Sequence, residues 1–233
     1  MNRRMIIAID GPSGAGKSTL SRLLARELGL LYVDTGSMYR AVALAVTEAG
    51  VSTTDAEAVA EIARRVAIQL SGDPDTLQVR LDGRDVSDEI RAEQVTHTSS
   101  IISTIPEVRR EMVRRQREMG EQGGVVLNGR DIGTVVFPDA DVKFFLTAVP
   151  EERARRRLDE ERPGLHDQTF DEMLADINAR DRRDSTRQDS PLAIAEDAVV
   201  IDTTDLSIEE VFQRMLQVVR ERGGNQQVES KKL

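Results

Sequence analysis

The feature that most constrains this chain is the loop Gly11-Pro12-Ser13-Gly14-Ala15-Gly16-Lys17-Ser18-Thr19, which follows the apolar run Met5-Ile6-Ile7-Ala8-Ile9 and Asp10. It satisfies G-x-x-x-x-G-K-[ST], with a strand-like run before it and Leu20, Leu23, Leu24 and Leu28 at helical spacing after it. Glycines at 11, 14 and 16 let the backbone take positive φ and turn its N–H groups inward as a nest for an anion. Lys17 adds a point charge for the β- and γ-phosphates, and the Ser18 hydroxyl suits a magnesium ion bridging them. The helix that follows aims its positive end at the same point. The loop therefore predicts a nucleoside triphosphate site built from residues 11–19.

Composition narrows the setting. At 233 residues the chain can hold one sizeable core, or one core with a small appended lobe. The absence of cysteine excludes a disulfide framework and a thiolate zinc site. The apolar stretch near the start is broken by Asp10, too early for a signal peptide, and no run approaches the roughly 20 apolar residues that span a bilayer. A cytoplasmic protein without a membrane partner is expected. The net charge of −9, from 32 basic and 41 acidic residues, argues against a general attraction to nucleic acid. Aromatics at 3% leave few stacking platforms for single strands. Yet arginines gather at 153, 155, 156, 157 and 162, and again at 180, 182, 183 and 187. In an acidic chain such a cluster points to a local polyphosphate site.

Further along, Leu30–Val33 reads as a short buried strand ending in Asp34-Thr35-Gly36-Ser37-Met38-Tyr39-Arg40, a helix start. Val125–Asn128, Val142–Thr147 and Ala198–Asp202 read as three more strands, the first running into Gly129-Arg130-Asp131-Ile132-Gly133-Thr134. Ser207 with Glu210 marks the start of a last helix. Five apolar strands alternating with helices predict an α/β fold, a five-stranded mostly parallel sheet with helices on both faces. Val66–Leu70, Leu77–Leu81 and Asp85–Val86 are β-prone pieces separated by Gly72-Asp73-Pro74-Asp75 and Asp82-Gly83, so a small antiparallel lobe is expected inside that body. The whole reads as one domain over 1–222, with its core at about 1–66, 121–152 and 186–222. An inserted region covers about 67–120, and an arginine-rich helical lid covers about 153–185, turning at Arg162-Pro163-Gly164. Residues 223–233 read as a disordered tail.

A phosphate loop alone does not separate a switch from a motor or a phosphotransferase. The chain lacks D-x-x-G and N-K-x-D, so a regulatory GTPase is excluded. Ligands in open α/β sheets bind at the C-terminal ends of strands. Thr35 with Arg40, and Arg130 with Asp131, stand at two such ends, although an ordinary helix cap and a surface arginine would also satisfy the first pair. Phosphoryl transfer needs positioning and charge neutralisation more than covalent help, and an arginine offered to the transition state is worth about 10³ to 10⁵ in rate. A closing arginine-rich lid would also exclude water, the competing acceptor. His97 and His166 are isolated and read as surface or packing residues.

The phosphate loop, D-T-G-S-M-Y-R at 34–40, S-x-x-x-x-x-P-x-V-R from Ser100 to Arg109, G-R-D-I-G-T-V-V-F-P at 129–138 and R-D-x-x-D-x-x-R at 180–187 together resemble the bacterial cytidylate kinase family. The resemblance spans about residues 5–222, β-rich insert included. G-R-D-x-G-T and the distal arginines are its specific part, since many families share the loop. It implies magnesium-dependent transfer of the ATP γ-phosphoryl group to CMP and dCMP by a monomer, with Lys17, Arg130 and Arg180 catalytic and Ser18 on the metal. Arg40, Arg130 and Arg180 would hold the acceptor's phosphate. Ser100, Arg109 and Asp131 would read cytosine; Asp184 and Arg187, with Thr35 nearby, would meet the ribose. Arg156 would lie toward ATP, with Arg155 and Arg157 as adjacent rivals. Threonine stands at 35 where serine is usual in the family, and Asp131 could instead support a magnesium-bound water. The rival readings are a kinase for UMP or shikimate, a nucleotide-binding regulatory module, and an RNA-binding role for the arginine cluster.

Overall fold

A computed structural model describes residues 4–160 and 168–229 of the chain. Ile6–Asp10 (β1) is buried along its whole length, as a strand covered on both faces must be. It stands at the middle of a sheet with Leu31–Asp34 (β2), Val125–Asn128 (β6), Val142–Thr147 (β7) and Val199–Asp202 (β8). The order is β2-β6-β1-β7-β8 and every pair is parallel. Successive residues of β1 face opposite ways. Ile7 and Ile9 pack with Lys17–Leu28 (α1) and Ile208–Glu229 (α8) on one face. Ile6 and Ala8 pack on the other with Thr35–Glu48 (α2), Ala56–Arg65 (α3), Glu93–Ile102 (α4) and Pro106–Gly120 (α5). Strand succession reverses direction at β1, which opens a crevice at the sheet's C-terminal edge. The register aligns that edge: Asp34 pairs with Asn128, Asn128 with Ile9, and Asp10 with Phe145.

The expected insert is an antiparallel sheet of Ile68–Ser71 (β3), Gln78–Leu81 (β4) and Arg84–Asp85 (β5). Its second hairpin turns at Asp82 and Gly83, with φ of 50° and 86°, the positive pair that a two-residue hairpin requires and Asp-Gly supplies. Val66, expected to open a strand, instead caps α3. Ile68, Val79, Leu81 and Val86 join the same apolar cluster as α2 to α5, so the lobe shares the main core.

Pro150–Glu160 (α6) and Phe170–Thr186 (α7) hold a separate small cluster of Ala154, Met173 and Ile177. The turn expected at Arg162-Pro163-Gly164, and His166, lie outside the described residues; His97 is exposed. Ser207 and Glu210 cap α8 reciprocally, as the sequence predicts. The helix continues to Glu229, so 223–229 extend it where a disordered tail was expected, and 230–233 lie outside the described residues. Among the described residues no helix is long and apolar enough to cross a membrane.

Candidate active site

The phosphate loop leaves β1 with φ of 144°, 79° and 82° at Gly11, Gly14 and Gly16. Gly11 has no alternative: a Cβ there would lie 2.0 Å from the Leu146 carbonyl oxygen of β7. Lys17 opens α1 and is buried, its Nζ donating to the Pro12 carbonyl at 2.5 Å. Burial, and then the charges of Arg130, Arg157 and Arg180, hold its pKa well below the ordinary lysine value. A triphosphate in the loop would supply the negative charge that Asp10, set against three arginines, does not balance. Ser18 is exposed and accepts from Asn128 Nδ2 at 3.0 Å, while Asn128 Oδ1 is buried without a partner. A hydroxyl and an amide oxygen side by side are hard, neutral donors of the kind magnesium takes alongside phosphates and waters, so these residues fit that ion.

On the β2 and β6 side, Asp34 caps α2, accepting from Gly36 N–H at 3.1 Å and from Ser37 Oγ at 2.7 Å. The same carboxylate accepts from Arg40 Nη2 at 3.0 Å, so the cap also aims Arg40. Burial opposes ionisation of Asp34, yet Arg40 and Ser37 hold its pKa below the usual value. Thr35 is buried and its hydroxyl donates to the Asn128 carbonyl at 2.7 Å, tying α2 to β6. Beyond β6, Arg130 Nε donates to Asp184 at 2.8 Å and Arg109 donates to Asp131 Oδ2 at 2.5 Å. Arg187 stands 3.5 Å from Asp184 and 3.9 Å from Asp131 Oδ1. Asp131 is thus turned toward the two arginines. Arg109 also lies over the Tyr39 ring, 5.6 Å from its centre.

Several buried polar atoms here have no hydrogen-bond partner: Tyr39 Oη, Arg40 Nε, Arg109 Nε, Arg180 Nε and Arg187 Nη2. Ser100 Oγ, on α4 where it packs against α2, is another. Each such group costs on the order of 1–3 kcal/mol unless water or a ligand meets it, and a concentration of them marks a site shaped for a polar ligand. The charges agree. Burial opposes ionisation of Asp184, but Arg130, Arg180 and Arg187 hold it below the usual carboxylate range. Burial and the neighbouring Arg130 push Arg180 down to about 9, an arginine short of anions. An acidic chain has gathered an excess of cations at one edge of its sheet.

The lid helices reach this edge through Arg153, buried, with Nη1 donating to the Ser13 carbonyl at 3.1 Å and Nη2 to Asp181 at 2.6 Å. Arg157, one turn on, donates to Ser13 Oγ at 2.9 Å. Arg156, expected toward ATP, donates to Thr203 Oγ1 at 2.9 Å and to the Thr203 carbonyl at 2.6 Å, beyond the end of β8. Arg155 is exposed. Helical phase could have set Arg155 apart, because 156 and 157 follow 153 by three and four residues and share its face, while 155 does not. Sequence reasoning also gave no role to Asn128, whose signal was its place as the last residue of a buried strand, or to Tyr39, whose only signal was its place in the first turns of α2 beside Arg40. The remaining expected residues, Arg40, Arg109, Arg130, Asp131, Arg180, Asp184 and Arg187, come together around one cluster of charges.

A phosphate loop at the reversal point of a parallel sheet, facing a second cationic pocket at the neighbouring strand ends, defines a phosphotransferase of the phosphate-loop class. The family model for cytidylate kinase matches residues 7–221. The cytidylate kinase of Syntrophotalea carbinolica is 52% identical over 222 residues, covering 95% of this chain and 94% of its own. That of Geobacter sp. (strain M21) is 50% identical over 218 residues, covering 94% of each. A gluconokinase structure from Sinorhizobium meliloti 1021 aligns with a TM-score of 0.50 at 12% identity over 99% of both chains, a likeness of fold. The chain belongs to the cytidylate kinase family.

Proposed function

We infer that this chain is a nucleoside monophosphate kinase that moves the γ-phosphoryl group of ATP to CMP or dCMP, giving CDP or dCDP and ADP. The observation that carries the reading is the set of buried polar atoms without hydrogen-bond partners at the strand ends, beside a phosphate loop whose buried lysine is crowded by Arg130, Arg157 and Arg180. Strand order supports a division of labour: acceptor groups come from the β2 and β6 side, while Arg156 and Thr203 lie at the β8 side, toward the donor's far end. Arg40, Arg130 and Arg180 hold the acceptor's phosphate. Its oxygen, already an anion, forms the new P–O bond as the bond to the β-phosphate oxygen breaks, so no general base is required. Lys17, Arg130, Arg157 and Arg180 meet the charge that shifts between the two nucleotides.

Magnesium, when bound, neutralises the β- and γ-oxygens; Ser18 would hold it and Asn128 Oδ1 would support its shell. Asp131 Oδ1 and Ser100 accept from the exocyclic amine of cytosine, and Arg109 donates to its ring nitrogen and carbonyl. Uracil carries a carbonyl in place of that amine, so the carboxylate would repel it. Asp184 and Arg187 stand for the ribose hydroxyls, whereas Thr35 acts by holding α2 to β6. The proposed state, a cytoplasmic monomer, rests on the family resemblance. An ADP-release assay across CMP, dCMP, UMP, AMP and shikimate tests the reading. Turnover should be fastest with CMP or dCMP; preference for any other acceptor overturns the cytosine assignment, and turnover that no acceptor stimulates overturns the kinase.

A further inference from the structure

We propose that Asp10 is a positioning residue that fixes the acceptor arm of the site, Arg130 and Asp131, relative to the phosphate loop. Asp10 is the last residue of β1, immediately before Gly11, and only 4% exposed. Its Oδ1 accepts from the Ile132 N–H at 2.8 Å and its Oδ2 from the Gly133 N–H at 2.7 Å, one oxygen to each donor. Backbone pairing between β1 and the segment after β6 ends where Gly129 N–H meets the Ile9 carbonyl at 3.0 Å. The carboxylate extends that link past Arg130 and Asp131 and closes the acceptor arm at both ends. Ile132 and Gly133 open a single π-turn, Ile132–Val136, whose internal bonds begin only at Val135 N–H, so their amides depend on Asp10. A Cβ at Gly133 would lie 3.4 Å from Asp10 Oδ2, an ordinary contact, and 3.1 Å from Lys143 Cδ, a tight one.

One side chain therefore holds the start of the donor loop and the start of the acceptor arm, the two parts that must align for in-line transfer. Misplacement of about 1 Å at such a point costs roughly 10²-fold in rate. The charged groups facing Asp10 are Lys17 on α1 and Asp131 on the arm; Lys143 of β7 passes with its stem and turns its ammonium to Pro138 O and Asp197. Burial pushes the Asp10 pKa up to about 6, Asp131 adding to the rise, against the two N–H bonds and Lys17. The clamp is a full double acceptor above that pH. Below it the carboxyl carries a proton and presents a donor to one of the two amides.

The proposal rests on Arg130 holding the acceptor's phosphate, and Arg130→Ala tests that separately. In Asp10→Asn, an amide nitrogen faces one of the two N–H donors. Its kcat should fall about 10²-fold, with the affinity for a non-hydrolysable ATP analogue, measured by equilibrium binding, within about threefold of wild type. The acid limb of kcat near pH 6 should disappear from the variant. CMP itself titrates there, but identically for both proteins, so the difference belongs to the enzyme. A merely structural Asp10 would lower Tm and leave kcat and the pH profile of the folded enzyme unchanged, which overturns the proposal while Arg130→Ala still weakens CMP. Should the variant not fold, wild-type amide exchange decides. Protection of Ile132 and Gly133 N–H, corrected for intrinsic exchange, should change about tenfold between pH 7 and pH 5 as Asp10 titrates, while Phe137 N–H holds. Protection unchanged over that range overturns the clamp.

Discussion

Replacing Arg130 by alanine should separate the two halves of the site. In the free protein its guanidinium pairs with Asp184 at 2.8 Å, but that carboxylate keeps Arg187 at 3.5 Å and the charge of Arg180. Removing Arg130 also relieves repulsion on Lys17 and Arg180. The fold should therefore lose only about 1 kcal/mol. The acceptor loses more. A hydrogen bond to a charged group contributes about 1.5–3 kcal/mol net, and a two-pronged grip on phosphate lies at the top of that range. About 3 kcal/mol is roughly 150-fold in kcat/KM. Initial rates from coupled ADP release, with CMP varied at saturating ATP, should show a loss of about 10²-fold, while the affinity for an ATP analogue stays within about threefold. Arg130→Lys keeps the charge but not the fork and should restore less than about tenfold. Equal losses toward ATP and CMP, or a CMP effect below about threefold, would refute the assignment.

Arg157→Ala should slow kcat by about 10³-fold while Arg156→Ala raises the KM for ATP with little change for CMP, since the first touches Ser13 of the loop and the second Thr203; steady-state kinetics on both variants distinguishes the roles. Gly14→Ala places a Cβ 2.9 Å from Arg153 Cβ at a φ of 79°, so it should abolish tight ADP binding in calorimetry and lower Tm by several degrees, on the order of 1–3 kcal/mol. Asp184→Asn leaves three arginines facing one another and should cost about 3 kcal/mol at pH 7 in urea denaturation. The folded pKa of Asp184 lies below its unfolded value, so its contribution is present above that unfolded value, near pH 4, and is lost as pH falls through the folded one. The gap between wild type and variant should close in acid. Asp10 has the opposite sign: with a folded value of about 6, its contribution is present in acid and lost as pH rises through 6, costing wild type about 3 kcal/mol at pH 7.

Sequence alone determined the phosphate loop, the parallel sheet, the Asp82-Gly83 hairpin, the Ser207–Glu210 cap and the two strand-end motifs that carry Arg40 and Arg130. These are local statements: backbone freedom at glycine, a period of two or 3.6, and side chains that cap their own helix act over a few residues, so spacing reads them. The chain's order could not reveal that β6 inserts between β1 and β2, because strand order follows from crossovers of long segments. That insertion brings Asn128 beside Ser18, commits the Thr35 hydroxyl to the Asn128 carbonyl, and carries Ile132 and Gly133 to Asp10. The arginines show the same division. Their abundance is plain in the sequence, but which reaches a phosphate and which reaches a neighbouring loop depends on the partners that packing sets around each guanidinium. A charge acts through space, and only the tertiary structure decides which charges are close.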